Sequence, residues 1–520
     1  MPALPEETRS ENPQAEAMPP FARWLSLDKY LRAIRFSADD PASRISPTTV
    51  IGNPSADLDS FVSAVVYSYF HNHSEPQTKN AKTGANIVYI PLLNLPKTPA
   101  SKLHRLRPEF DLAIRSALAW HIRDDDSSRR AEGIDSTILD QVITIHDLTT
   151  TFSSSPLASS FTPTSEAPPS QPVPVVLVDH NVPSMIGFTP DELSSRLTVT
   201  GCIDHHVDES SSPQSYTPRI INLNAGSCTS LVISYLRSQN LFPDPSPNPQ
   251  TNPTELSSTI ALQQISSLAL SSILVDTHNL KSSSRTKPVD LEAVQFLTSH
   301  LTKPGLHGGT FTPPSLNSNK MESASASAIA TFFTHDYYRI LSDAKINSLK
   351  GLNLEEILDR DYKQWSEPSD TAKTTFVEIG IASAPQPISW LVDHASSHSS
   401  SNSNSSNFVS AISNFSKSNN LDIFLLLTSP TLRGKGLAAV ALTDRGAATL
   451  ERFEKRALGL EAYDEEKGRK ELTEAMDAEF RGKDGQRQWR VWWLTKMDIT
   501  RKQIAPLVRE CVKQTDNDTQ

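Results

Sequence analysis

Residues 173–206, VPVVLVDHNVPSMIGFTPDELSSRLTVTGCIDHH, decide the fold. Two apolar runs, VPVVLV (173–178) and LTVTGCI (197–203), each end on a cluster of polar and ionisable residues. Short apolar runs rich in β-branched residues and bounded by polar ones read as buried strands. Their ends carry Asp179-His180-Asn181 and Asp204-His205-His206. Three ionisable groups at a buried strand end are costly unless they are paired or hold a metal.

The same grammar extends outward. TTVIGN (48–53) reads as a strand running into GNPSADLDS (52–60), and FVSAVVYSYF (61–70) reads as the helix that follows. TIALQQISSLALSSILVDTHNL (259–280) reads as an apolar helix ending in a polar tip with Asp276. ANIVYIPLLNL (85–95) and VITIHDL (142–148) are further strand candidates, and residues 22–40 have helical spacing. Strand, acidic loop and helix in repetition predict an α/β domain with a mainly parallel sheet flanked by helices. In such sheets ligands bind at the C-terminal strand ends.

The chain has 520 residues, room for two to four domains. Its formal charge of −10 argues against a nucleic-acid binder. A polyanionic substrate stays open, because divalent cations and a local basic cluster reverse the field within one cleft. Three cysteines, Cys202, Cys228 and Cys511, without CxxC spacing fit a reducing compartment and no disulfide scaffold. The first residues have acids and prolines and no apolar stretch, so they read as a tail rather than a signal. No uninterrupted apolar run reaches membrane-span length, and a cytoplasmic protein without membrane partner is the expectation.

Organisation follows from composition. A disordered tail is expected at 1–21, a metal-binding domain at 22–302, a linker at 303–324, a smaller α/β domain at 325–512 and a tail at 513–520. Ser/Pro/Asn-rich tracts at 151–172, 241–258 and 395–420 read as surface insertions. The second domain is expected to hold a helix over LNLEEILDRDYKQW (352–365), strands TTFVEIGIAS (374–383), LDIFLLLT (421–428) and QWRVWWLT (488–495), a charged helical span at 446–481, and a terminal helix.

Carboxylates and imidazoles converging from several strand ends suit a pair of hard-to-borderline divalent ions. Two such ions about 3.5–4 Å apart can share one carboxylate and one water, and can activate that water toward phosphorus. Asp57 and Asp59 alternate in one loop and so can face the same way. Taken singly, such an Asp pair more often caps a helix. The order of the four segments is what raises the signal.

That order, GN-x3-DLDS, VDHN, DHH, GSCTSLV and ILVDT-x-N, resembles the DHH-superfamily phosphoesterases, and KGLNLEEILDRDYKQW with ITRKQIAP resembles their DHHA2 domain. The resemblance spans nearly the whole chain. It implies two domains with the active site in the cleft between them. It implies that Asp57 and Asp179 hold one ion and that Asp59, Asp179, His205 and Asp276 hold the second. His206 would face the phosphate, Asp204 would orient the histidines, and Lys363, Arg501 and Lys502 would hold substrate phosphates. Family-II pyrophosphatases have His where this chain has Asn53. An amide oxygen ligand at Asn53 would shift preference from Mn²⁺ toward Mg²⁺.

Asn53 together with an intact DHH triplet points to the fungal-type exopolyphosphatase side of the exopolyphosphatase and prune branch. The implied activity is release of orthophosphate from inorganic polyphosphate, using two divalent ions, Mg²⁺ or Mn²⁺. The rivals are an inorganic pyrophosphatase, a prune-like nucleotide phosphodiesterase, and a scaffold or signalling protein that keeps the fold. Lys281, Arg285 and Lys287 read either as an exposed basic loop or as steering for a long polyanion. Gly226 and Ser227 at a helix start either cap it or hold phosphate. Cys202 and Cys228 read as small core residues.

Overall fold

The structure is a computed structural model that describes residues 24–39, 45–74, 80, 84–119, 137–163, 171–210, 215–245, 253–301, 335–370, 374–395, 403–463, 469–482, 485–496 and 499–513. The expected tail at 1–21 and linker at 303–324 lie outside the described residues.

The first sheet has β1 (Ile45–Ile51), β2 (Asn86–Leu92), β3 (Val173–Val178), β4 (Leu197–Asp204) and β5 (Arg219–Ile221) in the order β2-β1-β3-β4-β5. Every pairing is parallel. From β1 the chain crosses to β2 on one side, and β3 returns on the other. The C-terminal ends of β1 and β3 therefore flank the point where strand order reverses, the place where such sheets bind ligands. Ile51 pairs with Leu177 and Val178 with Ile203, so the three motif-bearing ends lie nearly level.

The helix Leu58–Asn72 follows β1 and is buried along almost its whole length. Helix Pro253–Asp276 packs against it and against Pro108–Leu118 and Pro288–Leu301. Over Glu255–Asp276 this helix is long and apolar enough to cross a membrane by length and composition. Here Ala261, Ile265, Leu268, Leu270 and Ile273 are core residues of the first domain, and the helix delivers Asp276 at its end.

The second sheet has β6 (Tyr362–Pro368), β7 (Phe376–Ala384), β8 (Ile423–Pro430), β9 (Lys435–Ala441), β10 (Leu460–Ala462) and β11 (Trp489–Leu494), ordered β10-β11-β9-β8-β7-β6. Only β7 and β8 pair in parallel. Alternate residues feed two cores: Phe424 and Leu426 one face, Ile423 and Leu425 the other.

Four expectations change. VITIHDL (142–148) is not a strand beyond an isolated bridge from Thr144 to Leu93. Thr144 instead forms a capping box with Asp147 and starts the helix Ile145–Thr150. The tract 151–172 is folded over its first part, through the short helix Ala158–Phe161. Phe152, Leu157 and Phe161 are buried there, because three large apolar residues among serines suffice to anchor it. In the tract 395–420, Asn404–Ser418 is a helix whose Phe408, Ile412 and Phe415 recur at one face and enter the second core. In the tract 241–258, residues 253–258 open the helix that ends at Asp276.

Two further boundaries move. The helix expected over 352–365 stops at Arg360, and DYKQW becomes the start of β6, which puts Lys363 on a strand. The charged span 446–481 is two helices, Asp444–Arg456 and Arg469–Glu479, broken at Gly459 with φ 79° and by β10.

The domains meet through a buried bidentate pair. Arg360 of the second donates to both carboxylate oxygens of Glu109 of the first, at 2.8 and 2.7 Å. Arg509 also bonds Glu209 across the seam.

Candidate active site

Asp179 is the centre of the site. It directly follows β3 with φ 63°, in the left-handed region, which turns its side chain into the space between strand ends. Its Oδ2 accepts from Asn53 Nδ2 at 2.6 Å and from Ser60 Oγ at 2.7 Å. Its Oδ1 is buried without a hydrogen bond and lies 3.2 Å from His205 Nε2 and 3.6 Å from His206 Nδ1. Burial alone would raise the pKa of this carboxyl, but the neighbouring His205 and His206 hold it well below the usual carboxylate range.

β4 supplies the histidines. His205 Nδ1 faces the carbonyl of Ala225 at 3.3 Å, which leaves Nε2 directed at Asp179. Asp204 is fully buried; its Oδ1 accepts from His205 N and lies 2.7 Å from His206 Nδ1, and its Oδ2 accepts from Asn181. An imidazole held at one nitrogen by a carbonyl or carboxylate, with the other exposed to the site, is the usual support for a metal ligand.

Asp57 caps the helix Leu58–Asn72, accepting from Ser60 N at 3.0 Å. Burial and then the charge of Asp179 push its pKa up to about 6. Asp276 is pushed well above the usual range by burial, then by Asp59 and Asp57. These carboxylates press on one another, a state that a divalent cation relieves.

The donor set fits divalent metal. Asp179 Oδ1, His205 Nε2 and a ring nitrogen of His206 lie within 4.8 Å of one another. Asp179 Oδ1 and His205 Nε2 at 3.2 Å match two neighbouring ligands with bonds of about 2.1 Å to one ion.

Two expected ligands are placed differently. Asn53 turns its nitrogen to Asp179, because a carboxylate needs a donor, and its Oδ1 accepts from Ser55 N at 2.8 Å and Ser55 Oγ at 2.7 Å. Its oxygen is thus engaged, and Asn53 holds a ligand rather than presenting one; the Mg²⁺ preference loses that ground. Asp59 accepts from Ser227 Oγ, Cys228 N, Thr229 N, Thr229 Oγ1 and Ser272 Oγ. It sits on the N-terminus of helix Cys228–Ser238, where a carboxylate is favoured. Asp290 takes Gly226 N and Ser227 N. The backbone groups expected to cap the helix through Ser227 or to bind phosphate are therefore occupied by these two carboxylates.

From the second domain, Lys363 on β6 faces the acids. Burial and then Arg501 lower its pKa, while Asp179, Asp361 and Asp204 oppose this. Arg501 opens the terminal helix Arg501–Val512 and donates to Asp361 O at 2.8 Å and to Ser55 Oγ at 3.4 Å. Lys502 is exposed beside it and acts electrostatically on His205. Lys281 and Arg285 are exposed and Lys287 half-buried. Cys202 and Cys228 are buried, with burial pushing both thiols up.

Sequence reading missed three contributors. Ser60 and Ser55 stood inside the quoted loop, but a serine there carries no signal of its own. Lys345, on helix His335–Asn347, bears on Asp57, Asp276 and Asp361, and only the folded seam brings it there.

Residues 47–262 match the DHH family N-terminal domain, and residues 340–511 match the DHHA2 domain. A Schizosaccharomyces pombe protein (strain 972 / ATCC 24843) named "Putative exopolyphosphatase" is 24% identical over 493 residues, covering 93% of this chain and 96% of that one. A crystal structure of a Methanococcus jannaschii "putative family II inorganic pyrophosphatase" aligns over 90% of this chain and 99% of its own, with 14% identity and a TM-score of 0.43.

Proposed function

Because the chain belongs to the DHH superfamily, with a DHHA2 domain behind its DHH domain, we propose that it is an exopolyphosphatase, releasing orthophosphate from the end of inorganic polyphosphate. The observation that carries the reading is the convergence of the buried Asp179 and His205 with the half-buried His206 in one cluster, faced by Lys363 from the other domain. The name of the Schizosaccharomyces pombe relative supports the choice of substrate.

Two divalent ions, Mg²⁺ or Mn²⁺, would supply Lewis-acid activation of water and neutralise charge on the phosphoryl group. Asp57, Asp179, His205 and Asp276 would hold them, with Asp59 anchoring the loop from beneath. Asp204 fixes the His206 ring through Nδ1, and only with a second proton on Nε2 would that ring donate to a phosphoryl oxygen. Lys363, Arg501 and Lys502 take the anionic chain; Arg suits bidentate phosphate contact and Lys supplies a point charge. Closing the cleft orients the terminal phosphate and excludes water. Domain limits of 22–302 and 325–512 belong to this reading. So does work in the cytoplasm, in line with three buried, unbridged cysteines.

The test is orthophosphate release with Mg²⁺ or Mn²⁺ from long-chain polyphosphate, tripolyphosphate, pyrophosphate and a cyclic nucleotide, with Asp179→Ala as control. Rapid release from polyphosphate, abolished in the variant, is expected. Turnover confined to pyrophosphate or the nucleotide would move the protein to a rival substrate. No metal-dependent turnover would leave a scaffold that keeps the fold.

A further inference from the structure

Ser55 stands between the two halves of the site. Its side chain is buried, 1% exposed, and lies in the loop after β1. Its Oγ donates to Asn53 Oδ1 at 2.7 Å and in turn accepts from Arg501 Nη2 at 3.4 Å. Asn53 passes the connection on, its Nδ2 2.6 Å from Asp179 Oδ2. The carbonyl of Ser55 is fixed separately by the buried Arg107, whose Nη2 donates to it at 2.8 Å. The backbone is therefore pinned, while the hydroxyl belongs to a chain of side chains running from Arg501 through Ser55 and Asn53 to Asp179.

Each link has one chemically sensible direction. Arg501 has only donors, so Ser55 Oγ must accept from it. The hydroxyl proton is then free for Asn53 Oδ1. With that oxygen occupied, the Asn53 amide presents its nitrogen to the Asp179 carboxylate. Reversing any link would set two acceptors or two donors together at a buried site, where an unmade hydrogen bond is costly. The same Arg501 guanidinium is tied to the Asp361 carbonyl at 2.8 Å and carboxylate at 2.7 Å, two residues before Lys363. The far end of the chain thus reaches the residue just before β6, the strand that carries Lys363.

We infer that Ser55 is a positioning residue that couples Arg501 in the second domain to the carboxylate of Asp179 in the first. This rests on the proposed roles of Asp179 toward divalent metal and of Arg501 toward substrate phosphate. When a phosphate draws Arg501 away from Ser55, the hydroxyl loses the donor that polarises it, its bond to Asn53 Oδ1 weakens, and the hold of the Asn53 amide on Asp179 Oδ2 weakens with it. Occupancy on one side of the cleft is then felt on the other without direct contact between the two ends.

The experiment is a double-mutant cycle read at the metal. Mn²⁺ dissociation constants would be measured by calorimetry in the absence of any phosphate, for the full-length protein and for Ser55→Ala, Arg501→Gln and the double variant. Thermal melts would confirm that each is folded. Coupling through Ser55 predicts non-additivity of about threefold or more, with Arg501→Gln changing Mn²⁺ affinity less in the Ser55→Ala background than in the wild type. Additive effects would overturn the relay and leave the metal and substrate assignments standing. Wild-type protein that binds no Mn²⁺, or binds it equally well as Asp179→Ala, would overturn the metal assignment and the relay with it. Ser55→Thr keeps the hydroxyl and should restore the coupling; a threonine variant that behaves as alanine does would also count against the relay.

Discussion

Asp204 Oδ1 lies 2.7 Å from His206 Nδ1 and also accepts from the backbone N–H of His205, so one buried carboxylate sets both histidines of the triplet. Its second oxygen is taken by Asn181 at 2.6 Å. An Asp204→Asn change keeps the shape but replaces one acceptor oxygen with an NH₂ among donors. Loss of such support costs about 10–100-fold in activity or metal affinity. That loss is expected in orthophosphate release for Asp204→Asn, with the fold intact by circular dichroism. Wild-type turnover would show that the histidines are held without Asp204.

Metal affinity should depend on pH through Asp57. Burial and Asp179 raise its pKa to about 6 in the metal-free protein. Above that pH the carboxylate is ionised and ready to bind; below it, a proton must leave first. Calorimetric Mn²⁺ affinity is therefore expected to fall as pH drops through about 6, with Asp57 contributing up to about tenfold per unit below it. Asp57→Asn should bind metal more weakly and flatten that dependence. Equal slopes in the two proteins would assign the proton elsewhere.

The strands that carry the site were legible because β3 and β4 are apolar runs closed directly by Asp, and β1 ends in TTVI before the loop GNPSADLDS. VITIHDL misled because its alternation favours a strand, while Thr144 and Asp147 supply a capping box that starts a helix. The serine-rich segment at 404–418 misled for the opposite reason. Its composition is polar, yet Phe408, Ile412 and Phe415 at helical spacing are enough to bury one face. Asn53 and Asp59 were read as ligands from their place in the motif. Asn53 is engaged by Ser55 in a local turn two residues on, which the motif alone does not signal, and the helix start at Cys228 reaches Asp59 only through the tertiary fold.

The seam between the domains depends on Glu109 and Arg360. Both are buried, and Arg360 additionally donates to Leu106 O at 2.6 Å. Removing one partner strands a buried charge and is expected to cost about 3–5 kcal/mol. Urea unfolding of Glu109→Ala or Arg360→Ala should show that loss. Glu109→Leu with Arg360→Met removes both charges and should recover most of it. A double variant as unstable as the singles would mean that the lost contact to Leu106, not the stranded charge, dominates.

Acid lability should trace in part to His73. Its Nδ1 lies 2.7 Å from the carbonyl of Tyr69 and so carries the proton, while Nε2 accepts the N–H of Leu25 at 3.2 Å. A second proton would face that N–H, and burial pulls the pKa from 6.5 down to about 4. Above pH 6.5 the ring is neutral in folded and unfolded chains, and stability is independent of this group. Between about 6.5 and 4 the unfolded chain takes up a proton that the folded one refuses, so stability falls as pH falls, by about 3 kcal/mol in all. His73→Phe preserves an aromatic ring against Trp24 and Tyr69, whose centroids lie 5.3 and 4.3 Å from that of His73. It gives up the hydrogen bonds and should be about 1–2 kcal/mol less stable at about pH 8. Its stability should nevertheless decline less steeply between about pH 6.5 and 4 than that of the wild type. Parallel curves would show that protonation of His73 is not what the folded state resists, and His71, also lowered to about 4 by burial, would be the next group to replace.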